Sequence, residues 1–161
     1  MIVVSNTSPI TNLAAIGQLS ILRQIYGTLY IPEAVYRELR EGEERGDHPH
    51  FLEIADWIQV RSVPPEALLS LAPYQLDRGE AEAIVLAQLM EADLLLIGER
   101  IGRRYARERN LRVVGVLGTL VAAKQRGIID AVHPLLEQLR HKAGFYVSDQ
   151  LLTEVLRRAG E

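Results

Sequence analysis

The sequence contains no cysteine, and that one absence removes disulfide bonds, thiolate metal sites and cysteine nucleophiles together. It also fits a reducing compartment, and a cytoplasmic location is expected. Aromatic residues make up only 6% of the chain, which leaves Trp57 and Tyr74 too isolated to form a base-stacking platform. The longest charge-free apolar run, residues 113–123, falls far short of the ~20 residues a membrane helix needs, so no membrane association is expected. No basic stretch precedes an apolar one at the start, so a signal peptide is not expected. Excess positive charge is missing too. With a formal net charge of −3, any polyanionic partner must meet a local basic patch.

What is present is the profile of a packed protein. The 161 residues are 48% hydrophobic and 24% charged, and a single domain over residues 1–161 is expected. Short β-rich runs at residues 2–5, 28–31, 58–63, 93–97 and 112–115 read as strands. Helical periods fill the intervals: 8–15, 18–26, 32–42, 51–55, 79–91, 101–109 and 116–126, with 130–142 and 148–159 after them. Pro9 and Pro32 stand where a first helical turn tolerates a missing N–H, and Asp77 has capping spacing ahead of Glu80. Alternating strands and helices imply right-handed crossovers and a parallel sheet covered on both faces. The unbroken Leu94-Leu95-Leu96-Ile97 fits a strand buried on both sides. In such sheets ligands collect beyond the carboxyl ends of the strands.

Four polar residues draw attention there. Asn6 follows the first strand, and Asn6 and Thr7 read either as a helix cap or as site residues. Glu38 lies at the edge of the apolar arc of its helix. Glu82 projects between Val85, Leu86 and Leu89, where a carboxylate is costly unless a cation or donors meet it. It reads as a metal ligand or as half of a structural salt bridge. Glu99 follows the fourth strand and reads as a ligand, or as a surface residue paired with Arg100 or Arg103. Three carboxylates gathered at one sheet edge beside a carboxamide would repel one another without a cation. Hard oxygen donors of this kind suit Mg²⁺ or Mn²⁺. Beside Glu99, Arg100, Arg103, Arg104 and Arg107 share one helix face. They could hold phosphates, or they could form a solvated face paired with Glu99 or Glu108. His48 and His50 sit in a loop too irregular for a metal pair, and His133 and His141 read as surface residues.

The strings V-S-N-T-S-P, I-P-E-A-V-Y-R-E-L, G-E-A-E-A-I-V-L-A and L-L-L-I-G-E-R resemble PIN-domain proteins. So do G-R-R-Y-A, G-V-L-G-T-L-V-A-A-K and the terminal V-L-R-R-A-G-E, and the nearest look is a prokaryotic, toxin-like subgroup. The resemblance implies a three-layer α/β/α fold around a central parallel sheet of about five strands. It implies a metal-dependent ribonuclease, with acidic residues holding Mg²⁺ or Mn²⁺ to hydrolyse RNA, single-stranded RNA being favoured. A small antitoxin protein and a homodimer are the implied partners. The family acids map onto Glu38, Glu82 and Glu99, and G-E-A-E-A is also similar to the carboxylate pair of flap endonucleases, which brings in Glu80. Two positions depart from the family: Asn6 stands where the first aspartate is usual, and Gly98 where one is frequent. Asn6 keeps open two other readings, a nucleic-acid-binding module without catalysis and a protein whose role is antitoxin binding. Leu151, Leu152, Val155 and Leu156 could serve a protein interface or pack internally.

Overall fold

Val3 and Val4 are neighbours, project to opposite sides of one strand, and are both fully buried, which requires helices on both faces of the sheet. In a computed structural model, residues 1–161 are described except for the side chains of Ala72, Pro73, Tyr74 and Glu99. Five strands form the sheet: β1 (Val3–Ser5), β2 (Leu29–Pro32), β3 (Ile58–Arg61), β4 (Leu94–Leu96) and β5 (Val113–Val114). Every pairing is parallel, in the order β3-β2-β1-β4-β5. The three-layer expectation is met.

Eight α-helices surround it: α1 (Thr7–Ala15), α2 (Ser20–Tyr26), α3 (Glu33–Arg45), α4 (Arg78–Leu89), α5 (Glu99–Arg109), α6 (Val116–Gln125), α7 (His133–Lys142) and α8 (Asp149–Arg158). The period-2 alternation of the strands divides the core. Val3, Leu94 and Leu96 face one hydrophobic cluster with residues of α1, α2, α3, α6 and α7. Val4, Leu95 and Ile97 face a second, built largely on α4. Val155 of α8 is buried, and Leu151, Leu152 and Leu156 pack on the first cluster, so this amphipathic stripe is used internally.

Three expectations need correction. Residues 51–55 form turns and no helix, because the Glu43 carboxylate accepts from the Phe51 and Leu52 amides at 2.6 and 3.0 Å and fixes the chain there. Helix α3 runs past residue 42 to Arg45 and stops at Gly46 in a left-handed conformation. Residues Pro65–Tyr74, unassigned in the sequence, form a 3₁₀ segment with proline in its first turn. Among the described residues no helix is long and apolar enough to cross a membrane.

The strand order matters most for the site. The chain lays β1, β2 and β3 outward in one direction, then returns to pair β4 with the free edge of β1. Helical connections diverge at that reversal, leaving a crevice beyond the carboxyl ends of β1 and β4. Asn6 follows β1 directly, and Gly98 stands two residues beyond the end of β4.

Candidate functional site

Asn6 continues β1 by donating its backbone N–H to the Leu96 carbonyl at 2.8 Å. It occupies the cap position of α1, yet its side chain makes no capping hydrogen bond. The residue is only 6% exposed, and its Oδ1 has no hydrogen-bond partner. A buried acceptor left unpaired costs about 1–3 kcal/mol, so an unexplained one marks a place where a water or a cation belongs. The capping reading of Asn6 is therefore set aside. Thr7, the next residue, turns its hydroxyl to the Glu38 carboxylate and ties the first turn of α1 to α3.

Glu38 in turn lies against the start of α4. A Cβ added to Gly79 would sit 2.6 Å from Glu38 Oε1 and 3.0 Å from Oε2, so only glycine lets the carboxylate rest there. The next residue, Glu80, accompanies it. Asp77 caps α4 by accepting from the Glu80 amide at 2.8 Å, as its spacing suggested. Burial raises the pKa of Glu80 to about 7, with the charge of Asp77, a side-chain hydrogen bond to it and the charge of Glu38 adding to the rise. Glu38, Asp77 and Glu80 thus form a mutually repelling acidic group.

Glu82 points elsewhere. It is 4% exposed, and its Oε2 accepts from Arg78 Nε at 2.5 Å while Oε1 accepts from the Ala34 amide at 3.2 Å. Ala34 lies in the first turn of α3, whose cap residue is Pro32 and which no side chain of its own caps. Glu82 supplies the missing acceptor from another helix, favoured by the positive end of the α3 dipole. Sequence reasoning favoured Glu82 over Glu80 because Glu82 falls in an apolar arc. That arc is where a helix-to-helix tie belongs, and the acid facing Glu38 is Glu80.

Glu99 opens α5, but its side chain lies outside the described residues. Among the described residues no group of three histidines or acids is arranged to hold a metal ion. Arg100, Arg103, Arg104 and Arg107 are all exposed, and Arg104 lies 3.9 Å from Glu108. His48 is buried with Nδ1 3.1 Å from the Pro49 carbonyl, whereas His50 is exposed, so the two do not form a pair. A cavity of about 440 Å³ opens beside Thr7 and Glu38, with Arg45 and Lys142 also in its lining. Glu38 is therefore approachable from this cavity. Gly79 and Asp77 were not read as site residues, although the packed string D-R-G-E at a helix start carried both.

Residues 2–161 match the sequence profile of a family described as a PIN domain. No curated protein matches the chain.

Two outcomes follow from these contacts. Glu82→Gln should cost about 1–2 kcal/mol, read as a lower midpoint in chemical denaturation, because it removes a charged acceptor from Arg78 and Ala34. Glu80 has a pKa raised from 4.5 to about 7, so its stabilising contribution is complete below pH 4.5 and is lost as pH rises through 7. Glu80→Gln should accordingly melt higher than wild type above pH 7 in chelator-treated buffer, with the difference vanishing below pH 4.5. Equal melting temperatures above pH 7 would remove the strained acid group.

Proposed function

The chain belongs to the PIN-domain family, and on that premise we propose a metal-dependent ribonuclease acting on single-stranded RNA, with Glu38 and Glu80 as its principal acids. The observation that carries the reading is the buried, unpartnered Asn6 oxygen after β1, with the Glu38 carboxylate seated against Gly79 next to Glu80 supporting it. Acids held together against their own repulsion would be relieved by a cation bound among them.

The residues present fit such an ion. Asn6 offers a buried, unpartnered carbonyl oxygen, and Glu38 and Glu80 offer carboxylates, all hard donors suited to Mg²⁺ or Mn²⁺. Glu99, the acid that follows β4, completes the set on sequence grounds. A bound ion of this kind would supply the positive charge that offsets the negative charge developing in phosphodiester hydrolysis. Thr7 fixes one Glu38 oxygen through its hydroxyl. Glu80, near neutrality in pKa when no ion is bound, can hold or release a proton at its carboxyl at physiological pH. Arg100, Arg103 and Arg107 give the sugar-phosphate chain a sequence-independent cationic face. The resemblance to toxin-like members extends the proposal to restraint by a small antitoxin and to a homodimer.

A second reading, RNA binding without cleavage, is favoured by the neutral Asn6 in a site where the family usually has an aspartate. Activity on unstructured RNA separates the two. Weak cleavage with Mn²⁺ is expected from wild type, abolished by chelator. It should fall about 10²-fold or more in Glu38→Gln and Glu80→Gln, and rise in Asn6→Asp, since ion occupancy limits the rate. Inactivity of both wild type and Asn6→Asp, with RNA still bound, would select the binding-only reading.

Gly79→Ala provides an independent check. Alanine is the better helix former by about 1 kcal/mol, so the fold should keep its stability. The added methyl displaces the Glu38 carboxylate, and cleavage should drop with the acid variants. Full activity in Gly79→Ala would dissociate Glu38 from the chemistry.

A further inference from the structure

Beyond the acid group, the carboxyl edge of the sheet carries a second concavity of about 430 Å³, within the size range of ligand pockets. Its floor combines Gly98 after β4 and Gly115 before α6 with Pro9 from the first turn of α1. Phe145 and Tyr146 line it from the connection between α7 and α8, and Arg100 and Arg103 line it from α5. Its lining also includes Ser8, two residues beyond Asn6, so it adjoins the candidate site.

Tyr146 is the anomaly. It is 85% exposed, so its ring is not held by the core. Its backbone, however, is held. Gly144 turns the chain with φ +63°, Phe145 donates its amide to the Leu139 carbonyl at 3.0 Å, and Val147 is buried on the far side. An anchored loop that presents a bare aromatic ring at the mouth of an apolar cavity offers a stacking surface with little ordering cost. Arg100 and Arg103 are exposed, and neither has an acidic partner among the described residues. An apolar peptide would have no use for two such cations, whereas a nucleotide needs a π-face for its base and positive charge for its phosphates.

We propose that this cavity is a nucleobase subsite, in which one base of the single strand stacks on Tyr146 while Arg100 and Arg103 hold the adjoining phosphates. The subsite rests on the ribonuclease reading, and it places the strand so that its backbone runs from the α5 arginines past Asn6 toward the acid group. The stacking is tolerant of base identity, so it sets the position of the strand more than its sequence.

Equilibrium binding of a short fluorescent RNA in chelator, where no cleavage occurs, tests it. Tyr146→Ala should weaken binding about tenfold, and Tyr146→Phe should bind as wild type, because stacking needs the ring and not the hydroxyl. Scanning one abasic nucleotide along the RNA should find a position that weakens wild-type binding similarly and costs Tyr146→Ala nothing further. Arg100→Ala with Arg103→Ala should flatten the salt dependence, which Tyr146→Ala should leave unchanged. The subsite is overturned if Tyr146→Ala binds RNA like wild type, or if every abasic penalty persists in that variant. Unchanged RNA affinity with loss of a co-purifying protein in Tyr146→Ala would make the surface a protein-docking face. Wild type that binds no RNA removes the ribonuclease reading and the subsite together. Arginine-dependent binding without any effect at Tyr146 removes the subsite alone.

Discussion

Glu82 is a carboxylate with almost no access to water, and its two oxygens serve two helices. One meets Arg78 on its own helix, and the other closes the first turn of α3, which begins on a proline and has no cap of its own. An isolated buried charge would be untenable, and these two donors are what make this one stable. The result is a fixed seam between α3 and α4. One helical turn further along the same seam, Glu38 on α3 meets Gly79 on α4. A helix pair joined only by apolar packing could slide; one joined by a charged hydrogen bond to a first-turn amide has its register set.

That seam explains why the acidic group can exist at all. Burial is the first cause of the elevated pKa of Glu80, and the charges of Asp77 and Glu38 add to it, even though Asp77 also caps the Glu80 amide. The molecule tolerates the repulsion because α3 and α4 are fixed by a contact that lies outside the acidic group. A carboxylate that ties two helices and a member of the acidic group thereby occupy alternate positions of one short string, G-E-A-E, with different surroundings two residues apart. Asn6, at the reversal of strand order, carries an unpaired oxygen and no negative charge.

The layered architecture was legible because its signals are periodic. A doubly buried parallel strand must be apolar throughout, and Leu94 to Ile97 are; helices on a two-sided sheet must alternate with strands, and they do. The turn at 51–55 was not legible, since it depends on the Glu43 carboxylate reaching across to the Phe51 and Leu52 amides. What meets Glu82 was not legible for a related reason. A helical wheel reports which residue is buried and says nothing of what buries it. The partners of Glu82 are Arg78 and an amide that comes from α3, 48 residues away in the chain. Gly79 passed unnoticed because its role is the absence of a side chain, visible only once Glu38 is seen beside it. Tyr146 lacked any periodic signal, being a single ring in a loop whose anchors are a backbone hydrogen bond and a glycine.

The reversal of strand order also bears on how the protein is made. β1 precedes the other strands in the chain, but one of its two edges has no partner until β4 is synthesised, since Val4 pairs with Leu95. Asn6 finds its backbone acceptor, Leu96, only at that stage. The earlier segments β1, β2 and β3 can assemble as a half-sheet while the crevice is still absent. Long-range parallel pairing is slow to form, and here it gates the assembly of the site. A nascent chain of this protein thus holds no complete cleft beside the ribosome's own RNA until β4 has been translated.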